Sequence, residues 1–136
     1  MLIVIDSNVL FSALIKDSTT RRLILEYTGF FLFPEFIFEE MEKHKDELLQ
    51  KSKMSEEDFN QLLELLLTKV LIVPNLSLEK HYDKAFELVK DIDQDDLLFF
   101  ACTLHYPESV IWSDDAKLKK QSKIKIINTY EMMGLL

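Results

Sequence analysis

The sequence has few residues that interrupt regular structure, with only two glycines and three prolines among 136 residues. An average protein contains about 12% of these two residue types combined. Their scarcity predicts helices joined by short loops, and it excludes a glycine-rich phosphate-binding loop. The 48% content of hydrophobic residues excludes a disordered chain. The length predicts one domain, spanning residues 1–136.

Cysteine and long apolar segments are also scarce. Cys102 is the only cysteine, so no internal disulfide can form, and a reducing cytoplasm is the expected location. No apolar stretch reaches the ~18–20 residues that cross a bilayer, so we expect no membrane segment. The amino terminus has no basic region and reaches Asp6 after four apolar residues, which argues against a signal peptide.

Five short apolar runs rich in Ile, Val and Phe predict the strands of a sheet. Each run is continuously apolar rather than alternating, as in parallel strands that are buried on both faces, and helix-like sequence separates the runs. The predicted strands are Leu2–Ile5, Phe30–Phe33, Val70–Val73, Ser109–Trp112 and Ile124–Ile127. We therefore expect an α/β fold with a central, mostly parallel, five-stranded sheet.

Start signals predict where several helices begin. Pro34 is expected in the first turn of one helix, and Ser55 with Asp58 resembles a capping box. Ser77 is expected to cap a later helix. The segment Leu97–Leu104 is apolar on nearly all sides, which predicts a buried central helix.

Acidic residues from four separate segments are predicted to meet at one edge of the sheet. Ligands of open α/β sheets bind beyond the carboxyl ends of the strands, and these residues follow strands or precede the apolar helix. They are Asp6, Glu39, Glu40, Asp93, Asp95, Asp96, Asp114 and Asp115. Such a cluster repels itself unless protons or a cation neutralise it, and its oxygen ligands suit Mg²⁺ or Mn²⁺.

Each acidic residue also has an ordinary structural interpretation. Asp6, Asp96 and Asp115 could serve only as helix caps. Glu40 could belong to the solvated, charged face of its helix. The three histidines show no ligand spacing and no triad partner, so we expect them at the surface or at the boundary of the core.

Four motifs, in order along nearly the whole chain, resemble those of the PIN-domain nucleases, a family that includes the toxins of VapBC-type toxin–antitoxin pairs. Each motif carries one acid at the matching place. The motifs are Ile3–Leu10 with Asp6, Pro34–Met41 with Glu40, Asp93–Ala101 with Asp96, and Ile111–Leu118 with Asp115. Leu118 stands where an aromatic residue is common in the family, which we interpret as a packing change.

The resemblance implies a three-layer α/β/α sandwich and a metal-dependent endoribonuclease. Asp6, Glu40, Asp96 and Asp115 would be the catalytic quartet that binds one or two Mg²⁺ or Mn²⁺ ions. Supporting roles would fall to Asn8, Ser113, Asp93 and Asp114. The implied reaction is hydrolysis of single-stranded RNA to 3′-hydroxyl and 5′-phosphate products. A small antitoxin protein and a second copy of the chain would be the possible protein partners.

Three other functions remain open at this point. A PIN-like fold could act as a binding or scaffolding module with feeble catalysis. A haloacid-dehalogenase-like phosphatase would need a second Asp where Asn8 stands, because Asn cannot shuttle a proton. A receiver domain would need a phospho-acceptor Asp after Val70–Val73, where the sequence has Pro74 and Asn75.

The net charge of −8 is unevenly distributed. Residues 1–115 carry 11 basic and 23 acidic side chains, whereas residues 116–136 carry five and one. The overall charge argues against nucleic-acid binding by bulk positive charge, but not against an enzyme that meets RNA through bound cations. We interpret the lysines after the last motif as a strip that guides the RNA backbone, the alternative being a solvated helix face. They are Lys117, Lys119, Lys120, Lys123 and Lys125.

Overall fold

The computed structural model describes residues 1–136 and contains one five-stranded sheet in which every neighbouring pair is parallel. The strand order is β3-β2-β1-β4-β5. The strands are β1 (Leu2–Ile5), β2 (Phe30–Pro34), β3 (Val70–Val73), β4 (Val110–Trp112) and β5 (Ile126–Ile127). The predicted parallel sheet is therefore confirmed.

Helices connect the strands and cover both faces of the sheet. The α-helices are α1 (Ser7–Ile15), α2 (Thr19–Glu26), α3 (Ile37–Ser52), α4 (Glu56–Leu67), α5 (Asn75–Leu78), α6 (Tyr82–Val89), α7 (Leu97–His105) and α8 (Thr129–Met133). Short 3-10 helices occupy Glu79–His81, Gln94–Asp96 and Ala116–Lys120. No helix is long and apolar enough to cross a membrane.

Alternate residues of each strand enter two separate hydrophobic cores. Ile3 and Ile5 of β1 join a cluster with residues of α1, α2, α3, α4 and α8. Val4, between them, joins a cluster with residues of α5, α6 and α7. Because both faces of the strands are buried, the strands are continuously apolar, and the result is the expected three-layer α/β/α sandwich.

Two predicted helix starts are wrong. Pro34 is the last residue of β2, paired in register with Val73, and α3 begins three residues later. A proline is tolerated there because the next amide, that of Glu35, donates to the Val73 carbonyl oxygen at 2.8 Å. Ser77 lies inside α5 instead of capping a longer helix, since helical turns already begin after Pro74.

The other local predictions are closer to the structure. Ser55 caps α4, because its Oγ accepts a hydrogen bond from the Asp58 amide at 3.1 Å. The apolar helix extends one residue beyond its predicted end, to His105. The fourth and fifth strands are shorter than predicted and begin at Val110 and Ile126.

Candidate metal centre

The acidic residues meet where the carboxyl ends of β1 and β4 lie side by side. The chain leaves β1 towards β2 on one side of the sheet, and it leaves β4 towards β5 on the other. Connections that diverge in this way leave a crevice between the two strand ends, which is the usual ligand site of such sheets. The Asp6 amide donates to the Trp112 carbonyl oxygen at 3.2 Å and so joins the two strand ends directly.

Asp6 is the most deeply buried acid of the site, with 5% of its surface exposed. Its Oδ1 accepts a hydrogen bond from the Val9 amide at 2.9 Å and caps α1. Burial raises the pKa of Asp6, hydrogen bonds from Ser113 and the Val9 amide oppose this, and the charges of nearby aspartates add to it. Its burial beside other carboxylates makes Asp6 a candidate functional residue as well as a helix cap.

Three half-buried aspartates, which we call the acidic trio, come together beside Asp6. Asp93, Asp96 and Asp115 each offer one carboxylate oxygen, and these three oxygens lie within 4.8 Å of one another. Asp93 and Asp96 flank the turn that leads into α7, and Asp115 follows β4. The fold thus brings like charges from two separate segments of the chain close together.

Backbone hydrogen bonds hold two members of the trio. Asp93 Oδ1 accepts from the Asp95 amide at 3.0 Å, and Asp115 Oδ1 accepts from the Lys117 amide at 3.0 Å. Each of these carboxylates therefore begins a 3-10 helix with one oxygen and keeps the second oxygen available. Ser113 orients Asp115, because its Oγ accepts from the Asp115 amide at 3.1 Å.

The electrostatics of Asp96 reflect this crowding. Burial, followed by the charges of Asp93, Asp6 and Asp115, raises the pKa of Asp96 from 3.8 to about 7. The raised pKa of Asp96 beside three other carboxyl groups indicates that the negative charge of the site is neutralised by a proton or a cation.

Glu40 of the predicted quartet lies outside the trio on α3, which packs on the opposite face of the sheet from α7, so the two helices form different walls of the same cleft. The cleft has a volume of about 730 Å³, and Asp6, Glu40, Asp96 and Asp115 all line it. Glu40 contacts His44, one helical turn later, with His44 Nε2 at 3.5 Å from Glu40 Oε2. The structure therefore brings the quartet to one cavity but divides it between two walls.

The predicted supporting residues have different positions. Asn8 is exposed in the first turn of α1 and lines the cleft, and Asp93 belongs to the trio itself. The Asp114 carboxylate accepts from the Thr129 amide at 2.7 Å and from Thr129 Oγ1 at 2.6 Å, and its charge also helps to raise the pKa of Asp6. Its hydrogen bonds connect β4 to the start of α8 rather than support the trio.

Of the predicted lysine strip, only Lys117 approaches the trio. Its Nζ lies 3.9 Å from Asp93 Oδ2 and 3.9 Å from Asp115 Oδ2. Lys119 is paired with Glu131 of α8, with Nζ at 2.7 Å from Oε1. Lys120 and Lys123 are exposed and form no ion pair.

The histidines have partners that the sequence analysis missed. His44 lies in the cleft within 3.6 Å of both Glu40 and Glu47, a pairing that the i, i+4 spacing of Glu40 and His44 could have indicated. His81 and His105 contact each other, with Nε2 and Nδ1 3.1 Å apart. Because 24 residues separate this second pair, no local pattern could have predicted it.

The donors at the centre fit a hard divalent cation. They are carboxylate oxygens, with no thiolate or imidazole among the trio, and Asp6 adds a fourth carboxylate nearby. Such a set suits Mg²⁺ or Mn²⁺ rather than a soft metal. A family model described as PIN domain matches residues 4–132 of the 136 residues. No curated protein matches the sequence.

Proposed function

The chain belongs to the PIN-domain family, and on this basis we propose that it is a metal-dependent endoribonuclease that hydrolyses single-stranded RNA. PIN domains are generally nucleases that use divalent metal ions. The observation that carries the proposal is the acidic trio, Asp93, Asp96 and Asp115, beside the buried Asp6 in an open cleft. Because these carboxylates line an open cleft, a polymer chain can reach them.

In this proposal the trio and Asp6 hold one Mg²⁺ or Mn²⁺ ion, and Glu40 supports a second ion or a water from the opposite wall. A divalent ion so held would screen the charge of the phosphodiester and lower the pKa of a bound water. Side chains of the protein position the ligands and accept a proton. Ser113 keeps Asp115 in position, and a carboxylate accepts the proton of the attacking water. The products would be a 3′-hydroxyl and a 5′-phosphate.

The biological setting is also proposed from the family. We propose two settings: the toxin of a toxin–antitoxin pair, or a stand-alone PIN-domain nuclease. In a pair, a small antitoxin would cover the acidic cleft with an arginine that pairs with the trio. A homodimer and a cytoplasmic location belong to the same proposal. The buried thiol of the only cysteine, Cys102, is compatible with a reducing compartment.

Cleavage by purified Asp6→Asn protein tests the proposal. Asparagine can still accept the hydrogen bond from the Val9 amide, so the cap and the fold should persist while a charged oxygen ligand is lost. We expect most cleavage of single-stranded RNA in Mg²⁺ or Mn²⁺ to disappear. Asp83→Asn is the matched control, because Asp83 is an exposed acid in the first turn of α6, away from the cleft.

Two outcomes would contradict the proposal. Unchanged cleavage by Asp6→Asn protein would remove the acidic site from the reaction. Failure of the wild-type protein to cleave any RNA at any metal concentration would favour a binding or scaffolding module. Single-stranded DNA and duplex RNA of matched sequence, assayed in parallel, would define the substrate class.

A further inference from the structure

The lysines of the 3-10 helix Ala116–Lys120 lie near different acidic groups. Lys117 extends over the acidic trio, with Nζ 3.9 Å from Asp93 Oδ2 and from Asp115 Oδ2. Lys119, two residues later, is paired with Glu131 at 2.7 Å. The Asp115 side chain helps to direct Lys117, since it binds the Lys117 amide at 3.0 Å. A single lysine is thus placed at the candidate metal centre.

Lys117 lies near the trio oxygens that no backbone amide engages. In Asp93 and in Asp115, Oδ1 is already engaged by a backbone amide. The second oxygen, Oδ2, is the one that lies near the ammonium group in both residues. The ammonium group and a divalent cation would therefore compete for two shared ligand atoms.

The lysine is held loosely. A separation of 3.9 Å exceeds hydrogen-bond length, and the Lys117 side chain is 54% exposed. Exposed ion pairs of this kind are weak and are screened by salt. A divalent ion, which carries twice the charge and binds several oxygens at once, should displace the ammonium group readily.

We propose that Lys117 is an exchangeable counter-ion, which neutralises the trio before a metal binds and contacts the substrate phosphate afterwards. The second half rests on the nuclease function proposed above. Once displaced, the ammonium group is repelled by the bound cation, and an anionic phosphodiester between the two would relieve that repulsion. Lysine acts as a point charge on a flexible stem, which suits such a movement.

The test compares Lys117→Met with Lys119→Met in two assays on the full-length protein. The first is titration with Mn²⁺ alone, without RNA. We expect Lys117→Met to bind Mn²⁺ more tightly, on the order of fivefold, because a nearby positive charge is removed. Lys119→Met should leave the Mn²⁺ affinity unchanged, since the Lys119 charge is already paired with Glu131.

The second assay measures RNA cleavage at saturating Mn²⁺. Here Lys117→Met should lower kcat/KM by about tenfold or more, because a charge that stabilises the phosphate is lost. Lys117→Arg should recover much of this loss. Tighter metal binding together with slower cleavage is a combination that general damage to the structure would not produce.

The outcomes separate this inference from the proposed function. Unchanged or weaker Mn²⁺ binding by Lys117→Met would overturn the counter-ion role, whatever the protein cleaves. Unchanged cleavage at saturating Mn²⁺ would overturn the phosphate contact. If the wild type binds Mn²⁺ but cleaves no RNA, the nuclease proposal fails with the phosphate contact, and the titration alone decides the counter-ion role.

Discussion

The two walls of the cleft both carry acidic side chains, but they distribute charge in opposite ways. On α3, acids are paired with basic groups of the same helix: Glu40 lies 3.5 Å from His44, and Glu47 lies 2.8 Å from Lys51. On the other wall, the acidic trio gathers three carboxylates within 4.8 Å, with only Lys117 nearby, at 3.9 Å.

The acids of α3 are solvated and paired within the helix, whereas the carboxylates of the trio are available to a ligand. Partners three or four residues apart on a helix interact with each other and contribute little beyond local stability. The carboxylates of the trio come from separate segments and have no such helical partners. Their mutual repulsion therefore favours the binding of a cation. The trio wall is therefore where we expect substitutions to affect function most.

The largest expected effect is that of Asp96→Asn on metal binding and cleavage. The charges of Asp93, Asp6 and Asp115 all act on Asp96, and removal of a supporting partner alone typically costs 10–100-fold in metal affinity. We expect loss of the Asp96 ligand to cost about 100-fold or more in Mn²⁺ affinity and in kcat/KM. Mn²⁺ titration and RNA cleavage measure this, and a loss below a few-fold would place the metal elsewhere.

A smaller effect is expected for Glu40→Gln on the α3 wall. If Glu40 were an equal member of a quartet, its loss would match that of Asp96. Because it lies across the cleft and is paired with His44, we expect a decrease of roughly tenfold in cleavage, as for a supporting group. Equal losses of cleavage activity for Glu40→Gln and Asp96→Asn would show that the acids of the two walls contribute equally.

A moderate effect is expected in the pH dependence of stability without metal. The pKa of Asp96 is raised from 3.8 to about 7, so the folded state retains a proton that the unfolded chain releases. The contribution of Asp96 to stability should therefore decrease as the pH rises from about 4 to about 7 and then level off.

Thermal unfolding in EDTA at pH 5, 6, 7 and 8 measures this dependence. The amide of Asp96→Asn does not titrate, so the variant should lose less stability over this range than the wild type. Saturating Mg²⁺ should flatten the wild-type profile in the same way. Parallel profiles for the wild type and the variant would show that Asp96 ionises normally.

The smallest effect is expected for Lys51→Met on α3. Its partner Glu47 is exposed, and the hydrogen bond and charge of Lys51 lower the pKa of Glu47 without burying either group. Exposed pairs of this type contribute little to folding. The unfolding midpoint should stay within experimental error, and a clear decrease would show that local pairing on this wall matters to the fold.

Much of the fold could be predicted from residue patterns because those patterns act over short distances. The run Val70–Val73 is a strand with the predicted bounds, and the apolar segment after Asp96 is the expected buried helix. Predictions from single residues were less reliable. Pro34 ends a strand, because pairing with Val73 in another part of the chain outweighed its preference for a first helical turn.

The sequence predicted which acidic residues line the cleft but not how their carboxylates are arranged. Strand-end position and family motifs placed Asp6, Asp96 and Asp115 in one cleft, as observed. The same reasoning treated Asp93 as a supporting residue, whereas it belongs to the trio. It predicted a supporting role for Asp114, whose carboxylate binds Thr129, 15 residues away, while its charge helps to raise the pKa of Asp6.

The sequence by itself determined the parallel sheet, the buried helix and the edge at which the acids collect, because hydrophobic patterns and the residues that follow each apolar run can be read locally. Only the tertiary structure decided which carboxylates face one another. Asp114 and Asp115 are neighbours in the chain, yet Asp114 accepts hydrogen bonds from Thr129 at the start of α8 and Asp115 joins the trio. Their directions depend on the turn after β4 and on what packs against it, and a one-residue step reverses them.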